Sequence, residues 1–143
     1  MPRRVSPQEA KDLMDKEGYV YVDVRSIPEF EAGHPAGAFN VPINHMGPMG
    51  MTPNPDFLRV MQSAFPKDAR LIVSCKAGGR SARAAALLEE AGFTNVADQT
   101  SGYEGKPDPQ TGALRPGWRP GGFPVSREAA AGHAYADLEK KTQ

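Results

Sequence analysis

The sequence has one cysteine, one tryptophan and no surplus of either charge among its 143 residues. One cysteine cannot close an internal disulfide, and no group of Cys and His residues has the spacing of a zinc site, so neither staple is expected to hold this fold. A free thiol fits a reducing compartment. Lys and Arg number 17, and so do Asp and Glu, for a formal net charge of zero. That balance argues against a nucleic-acid partner, which would call for a basic excess or stripe. Long apolar runs are missing too. None approaches the ~20 residues of a membrane span, and Met1-Pro2-Arg3-Arg4-Val5 has no apolar stretch behind it. The expectation is a cytoplasmic domain with no membrane anchor and no secretory signal. Apolar residues make up 39% and charged residues 24%, enough for one modest core in one domain.

What is present alternates between two periodicities. Ser6-Pro7-Gln8-Glu9 reads as an N-cap, a proline in the first turn and the glutamate of a capping box, with Ala10, Leu13 and Met14 on one face and Gly18 as the stop. Tyr19 to Val24 reads as a strand. A short helix is expected over Ile27 to Ala32 behind Ser26, and a brief strand within Ala38 to Ile43. Met46 to Pro53 reads as a loop. Asn54 is the expected cap of a third helix facing inward through Phe57, Leu58, Met61, Ala64 and Phe65. Leu71-Ile72-Val73 is a continuous apolar run, as in a strand buried on both faces. A helix with Ala84, Leu87, Leu88 and Ala91 on one face then ends at Gly92, and Asn95 to Ala97 suggests a last strand. Residues 101 to 125 are dense in Gly and Pro, which predicts loop or tail. Ser126 is read as capping a final helix to about Lys140. The pattern predicts an α/β domain over residues 5–128, with a mostly parallel central sheet of about five strands flanked by helices, and a C-terminal helical extension over 129–143.

The chemistry concentrates where the most apolar strand ends. Cys75 stands at that exit, followed by Lys76, Ala77, Gly78, Gly79, Arg80 and Ser81 and then a helix. Open parallel sheets bind ligands at the carboxyl ends of their strands. The two glycines allow backbone N–H groups to converge into an anion-accepting nest, and the helix adds the positive end of its dipole. Lys76 and Arg80 add full charges. Such surroundings are expected to lower the thiol below its free value of about 8.5 and make Cys75 a nucleophile. The loop does not match the Gly-x4-Gly-Lys-Ser/Thr pattern of a nucleotide site.

Three stretches in order carry a family resemblance: Asp23-Val24-Arg25 through Glu29-Phe30, Gly33-His34, Gly37-Ala38 and Asn40-Val41-Pro42; then Cys75 to Ser81; then Gly117-Trp118 and Gly122-Phe123-Pro124-Val125. They resemble the signatures of the rhodanese-like sulfurtransferases, most of all the single-domain thiosulfate sulfurtransferases. The resemblance implies a rhodanese-like domain. It also implies that sulfane sulfur moves from thiosulfate or a related donor to cyanide or a cellular thiol through a Cys75 persulfide, without a cofactor. Backbone N–H groups of residues 76 to 81 would hold the charged persulfide, Lys76 and Arg80 would hold the donor's sulfonate, and Asp23 and Arg25 would lie near the loop.

Two alternatives stay open: a persulfide carrier or adaptor in a protein sulfur relay, and a phosphatase or arsenate reductase of the same fold. Four residues separate Cys75 from Arg80, one fewer than in the cell-cycle phosphatases of this fold, which favours sulfur over phosphoryl chemistry. Asp23 and Arg25 also read as a structural ion pair, with Arg25–Glu29 as another pairing. His34 reads as a turn or packing residue. Met46, Met49 and Met51 read as loop packing, a site mouth or a docking patch. Trp118 reads as pocket wall or core, and the segment from Lys106 to Arg115 reads as a long polar loop near the site.

Overall fold

The computed structural model describes residues 2–142; Met1 and Gln143, at the ends of the N-terminal reading and of the C-terminal extension, lie outside the described residues. Its elements run β1 (Arg3–Val5), α1 (Pro7–Glu17), β2 (Val20–Asp23), α2 (Ile27–Ala32), β3 (His34–Pro35), β4 (Phe39–Asn40), β5 (Asn44–Gly47), β6 (Gly50–Pro53), α3 (Phe57–Ala64), β7 (Arg70–Ser74), α4 (Gly79–Glu90), β8 (Asn95–Gln99), β9 (Gly105–Pro107), β10 (Leu114–Pro116), β11 (Val125–Ser126) and α5 (Tyr135–Lys140). Five strands form one parallel sheet in the order β1-β8-β7-β2-β4.

Strand alternation divides the core. Leu71 and Val73 of β7, Val22 of β2 and Val96 of β8 face a layer built from Phe57, Val60 and Met61 of α3, Ala84, Ala85 and Leu88 of α4, and Tyr135 and Leu138 of α5. Ile72, Tyr21 and Ala97 face the opposite way, onto Ala10 and Leu13 of α1, Phe30 and Trp118. Leu71, Ile72 and Val73 are all fully buried, so β7 is covered on both faces as its composition predicts.

The first two helices start as the sequence dictates. Glu9 N–H donates to Ser6 Oγ at 3.1 Å and Ser6 N–H donates to Glu9 Oε1 at 2.9 Å, a complete capping box. In α2, Ser26 donates to Glu29 from both N–H and Oγ.

Other elements depart from the pattern where long-range bonds outweigh local signals. β1 was not legible, because three residues become a strand only by pairing with the edge of β8. Asn54 does not cap α3, which begins behind Asp56. Its amide nitrogen instead donates to Pro42 O and Tyr135 Oη, while its Oδ1 accepts the Asp56 N–H. The stretch 46–53 is no open loop but part of the β5–β6 hairpin, with Met46 opposite Met51. The helix expected from Ser126 to Lys140 is confined to Tyr135–Lys140. Ser126 is drawn into β11 opposite His34, and His133 stacks on Phe39 and bonds Gly37 O, so the backbone between them is committed to tertiary ties. Residues 101–125 hold the antiparallel pair β9–β10 and the buried Trp118. No helix among the described residues is long and apolar enough to cross a membrane.

Candidate active site

β7 delivers Cys75 to the carboxyl edge of the sheet, and Gly78 turns the chain into α4. Gly78 has φ +102°, and a Cβ there would stand 2.5 Å from Thr100 O. Both conditions demand glycine. Gly79 is different: its φ is not positive and a Cβ would meet nothing within 4 Å. The sequence weighs the two glycines alike, whereas the turn needs only the first.

This turn folds the loop around sulfur. Cys75 is 2% exposed, and its Sγ accepts N–H from Gly78 at 3.1 Å and from Ser81 at 3.4 Å. Those donors sit at the N-terminus of the 12-residue α4, whose first-turn amides have no helical partners and whose dipole favours negative charge. The geometry can hold an anionic sulfur, or an anion attached to it.

The flanking cations divide in role. Arg80 does not stand free for a ligand, because its guanidinium makes a two-point contact with Glu29, Nη1 to Oε1 at 2.7 Å and Nη2 to Oε2 at 3.0 Å. Burial opposes the Glu29 charge, yet the Arg80 contact and the Ser26 hydrogen bonds prevail and hold the carboxyl down at about 2. The same contact raises Arg80 above its ordinary value. Lys76 is exposed and makes no ion pair within 4 Å among the described residues. It lines an open cleft of about 480 Å³ beside the loop, with Arg25, Glu29, Tyr103, Glu104 and Arg119. Across this cleft Arg119 pairs with Glu104, whose carboxyl is lowered by that hydrogen bond.

Asp23 and Arg25 are brought beside the loop as a buried ion pair. Asp23 lies in register with Ser74, and Arg25 reaches both oxygens of its carboxylate and Gly33 O at 2.6 Å. The Arg25–Glu29 option is not the one formed. Burial works against the Arg25 charge, but bonding to Asp23 outweighs it and raises the value further. The guanidinium also lies 4.2 Å from the centroid of the Tyr103 ring. His34 packs: 1% exposed, it stacks on Phe30 and its ring nitrogens meet Phe30 O and Glu128 O. Trp118 is core, edge-on to Tyr21 with its indole N–H donated to Pro124 O. Ala77 is an exposed loop position.

Sequence reasoning missed three contributors. The chain just past β8 clamps the loop from behind, with Tyr103 N–H donating to Cys75 O at 2.7 Å and Glu104 N–H to Lys76 O at 3.0 Å. Glu29, which the sequence offers as a partner for Arg25, pairs instead with Arg80, 51 residues away. Asp98, buried at the end of β8, accepts the Ser81 hydroxyl at 2.7 Å. A carboxylate directly after the apolar pair Val96-Ala97 is the one available signal. Among the described residues no three His, Cys, Asp or Glu side chains converge as a metal site would need.

Known proteins share this architecture. Residues 6–105 match the family model described as Rhodanese-like domain. The chain is 46% identical over 103 residues to Thiosulfate sulfurtransferase 16, chloroplastic, of Arabidopsis thaliana, covering 72% of this chain and 85% of that protein. It is 37% identical over 107 residues to Protein HIGH ARSENIC CONTENT 1, mitochondrial, of the same plant, covering 71% of this chain and 63% of that one. The crystal structure of Rv0390 from M. tuberculosis superposes with a TM-score of 0.70 at 30% identity, covering 87% of this chain and 97% of that one. Since the family match takes in four of the five sheet strands together with the cysteine loop, the chain belongs to the rhodanese-like domain family.

Proposed function

We propose that this protein is a thiosulfate-type sulfurtransferase working through a Cys75 persulfide. The thiolate of Cys75 attacks the outer sulfur of thiosulfate; the S–S bond of the donor breaks and sulfite leaves with the bonding pair. A second nucleophile, cyanide or a cellular thiolate, then attacks the outer sulfur of the persulfide and Cys75 departs as thiolate. The observation that carries the reading is the sulfur itself, buried at a strand exit with the Gly78 and Ser81 N–H groups aimed at it. Preorganised donors of this kind stabilise charge as it develops, at little cost of reorganisation. Lys76, exposed on the cleft, is the cation that meets the doubly negative donor, while Arg80 shapes the loop through Glu29.

Mass spectrometry after incubation with thiosulfate tests this. The expected result is one added sulfur atom on Cys75, removed by cyanide, and none on Cys75→Ser. Absence of the adduct on the intact protein would sink the persulfide route. A relay carrier would form the same adduct and release it to a protein thiol faster than to cyanide.

A second reading has one observation behind it, the relative named for high arsenic content. Arsenate is tetrahedral like phosphate, so an arsenate reductase would need loop room around several oxygens. Thiosulfate presents a single outer sulfur to Cys75 and leaves its oxygens outside. Four residues between Cys75 and Arg80 favour the tighter task. Thiol-dependent arsenate reduction at a rate matching sulfur transfer would favour the second reading.

A further inference from the structure

The Cys75 sulfur has a third polar neighbour besides its two amides. Ser81 Oγ lies 3.7 Å from Cys75 Sγ, 3.2 Å from Gly78 O and 2.7 Å from Asp98 Oδ1. Ser81 is fully buried, Asp98 is 4% exposed and Cys75 2%, so these groups settle their hydrogen bonds among themselves. A hydroxyl has one hydrogen to donate and lone pairs to accept with. That hydrogen can go to the carboxylate, to Gly78 O or to sulfur, and the contact with the carboxylate is the shortest of the three.

We infer that Asp98 is a positioning residue that controls Cys75 through the direction of the Ser81 hydroxyl. With Asp98 ionised, the short charge-assisted bond holds the Ser81 hydrogen on the carboxylate. The lone pair of Ser81 then faces sulfur, an arrangement that suits a neutral thiol donating its S–H. With Asp98 protonated, the carboxylic O–H donates to Ser81 Oγ and the hydroxyl hydrogen turns to sulfur. A third donor then joins the Gly78 and Ser81 amides, and the anionic thiolate or persulfide is favoured. The two states interconvert without any outside reactant. The thiol proton passes to Ser81 Oγ as the Ser81 proton passes to Asp98, leaving thiolate and neutral carboxyl with no net change of charge.

The surroundings keep both states within reach. Burial raises Asp98 above its ordinary value, whereas the Ser81 bond and the charges of Lys106 on β9 and Arg4 on β1 work the other way. Arg4 is the register partner of Asp98, and the neighbours Val73 on β7 and Ala82 and Ala86 on α4 carry no charge. On the sulfur side the charged groups are Arg80, held by Glu29, the loop residue Lys76, and the buried Asp23–Arg25 pair beside the loop.

The importance of this device for sulfur transfer rests on the reading above, but its test does not, because alkylation reports on Cys75 whatever the substrate. The experiment measures the rate of alkylation by iodoacetamide against pH for the wild type, Asp98→Ala, Ser81→Ala and the double variant. Removing Asp98 takes away the strongest acceptor and leaves the hydroxyl shared between sulfur and Gly78 O. The midpoint of the curve is expected to fall by about one pH unit, ~tenfold in rate on the acid limb. In the Ser81→Ala background the same change should move the midpoint by less than half as much. A shift at least half as large there would mean that Asp98 acts by charge through space, and no shift in either background would mean that it does not act on Cys75. Either result overturns the inference. Asp98→Asn, which keeps the side-chain shape and removes the charge, takes the same cycle if thermal melting shows that Asp98→Ala has lost the fold.

Discussion

Two segments rich in glycine and proline flank the cysteine loop, and they behave in opposite ways. The segment from Ser101 to Phe123 presses its first residues, Ser101 to Glu104, against the back of the loop, with Gly102 so close that a Cβ would stand 2.4 Å from Lys76 O. Its amides bond Cys75 O and Lys76 O, and Trp118 N–H closes back onto Gly102 O. The β5–β6 hairpin stands out from the surface, with Met49 95% exposed, and touches the loop through Met51 Sδ, 3.8 Å from Arg80 Nη1. Composition made the two look alike. The difference lies in what the glycines are for. In the first segment a missing Cβ lets backbone meet backbone, and in the hairpin Gly50 serves a tight turn in open space.

The strongest way to break this contrast is Gly102→Ala. The positive φ of +74° and the clash with Lys76 act together, so a loss on the order of 3 kcal/mol is expected, with a lowered thermal midpoint and collapsed Cys75 reactivity. Wild-type melting in that variant would mean that the clamp is loose. The loop itself gives the next largest effect. Gly78→Ala is expected to cut sulfur transfer by at least ~100-fold, while Gly79→Ala stays within about threefold. Equal losses from both would refute the assignment of the turn to Gly78 alone.

Lys76→Ala comes third, with an apparent KM for thiosulfate raised roughly ten- to a hundredfold at low salt and kcat little changed, as for a lost charge-assisted contact. A KM that does not move would place the donor elsewhere. The Glu29–Arg80 pair sets an acid limit. Because Glu29 is lowered from 4.5 to about 2, it contributes stability above the unfolded-state value, and that contribution is lost as pH falls from about 4.5 through about 2. Thermal melts over this range should fall less steeply for Glu29→Gln than for wild type; parallel curves would contradict the pairing. The smallest effect belongs to the hairpin. Met49→Ser should leave stability within ±0.5 kcal/mol and turnover with small substrates unchanged. A larger loss of turnover would bring the hairpin into the small-molecule site.

Much of the site was legible because its chemistry is contiguous. Cys75 through Ser81 are neighbours in the chain, and a strand-to-helix turn holding glycines and cations has few other purposes. Asp23 and Arg25, two residues apart at a strand end, could be read as an ion pair for the same reason. Asp98 and Tyr103 could not be given roles, since each acquires its meaning from a residue 17 to 28 positions earlier.

The sequence by itself determined the elements whose signals are local: the capping boxes at Ser6 and Ser26, the doubly buried β7, the parallel sheet they imply, and the strand-to-helix loop that opens on Cys75. Local signals suffice there because caps, periodicities and turns are satisfied within a few residues. Only the tertiary structure decided that Arg80 is held by Glu29, that Gly102 clamps the loop, that Ser126 enters a strand instead of capping a helix, and that a buried carboxylate at Asp98 competes for the Ser81 hydrogen. Those outcomes depend on which distant groups are buried together, because a buried donor or charge takes whatever partner the packing brings to it.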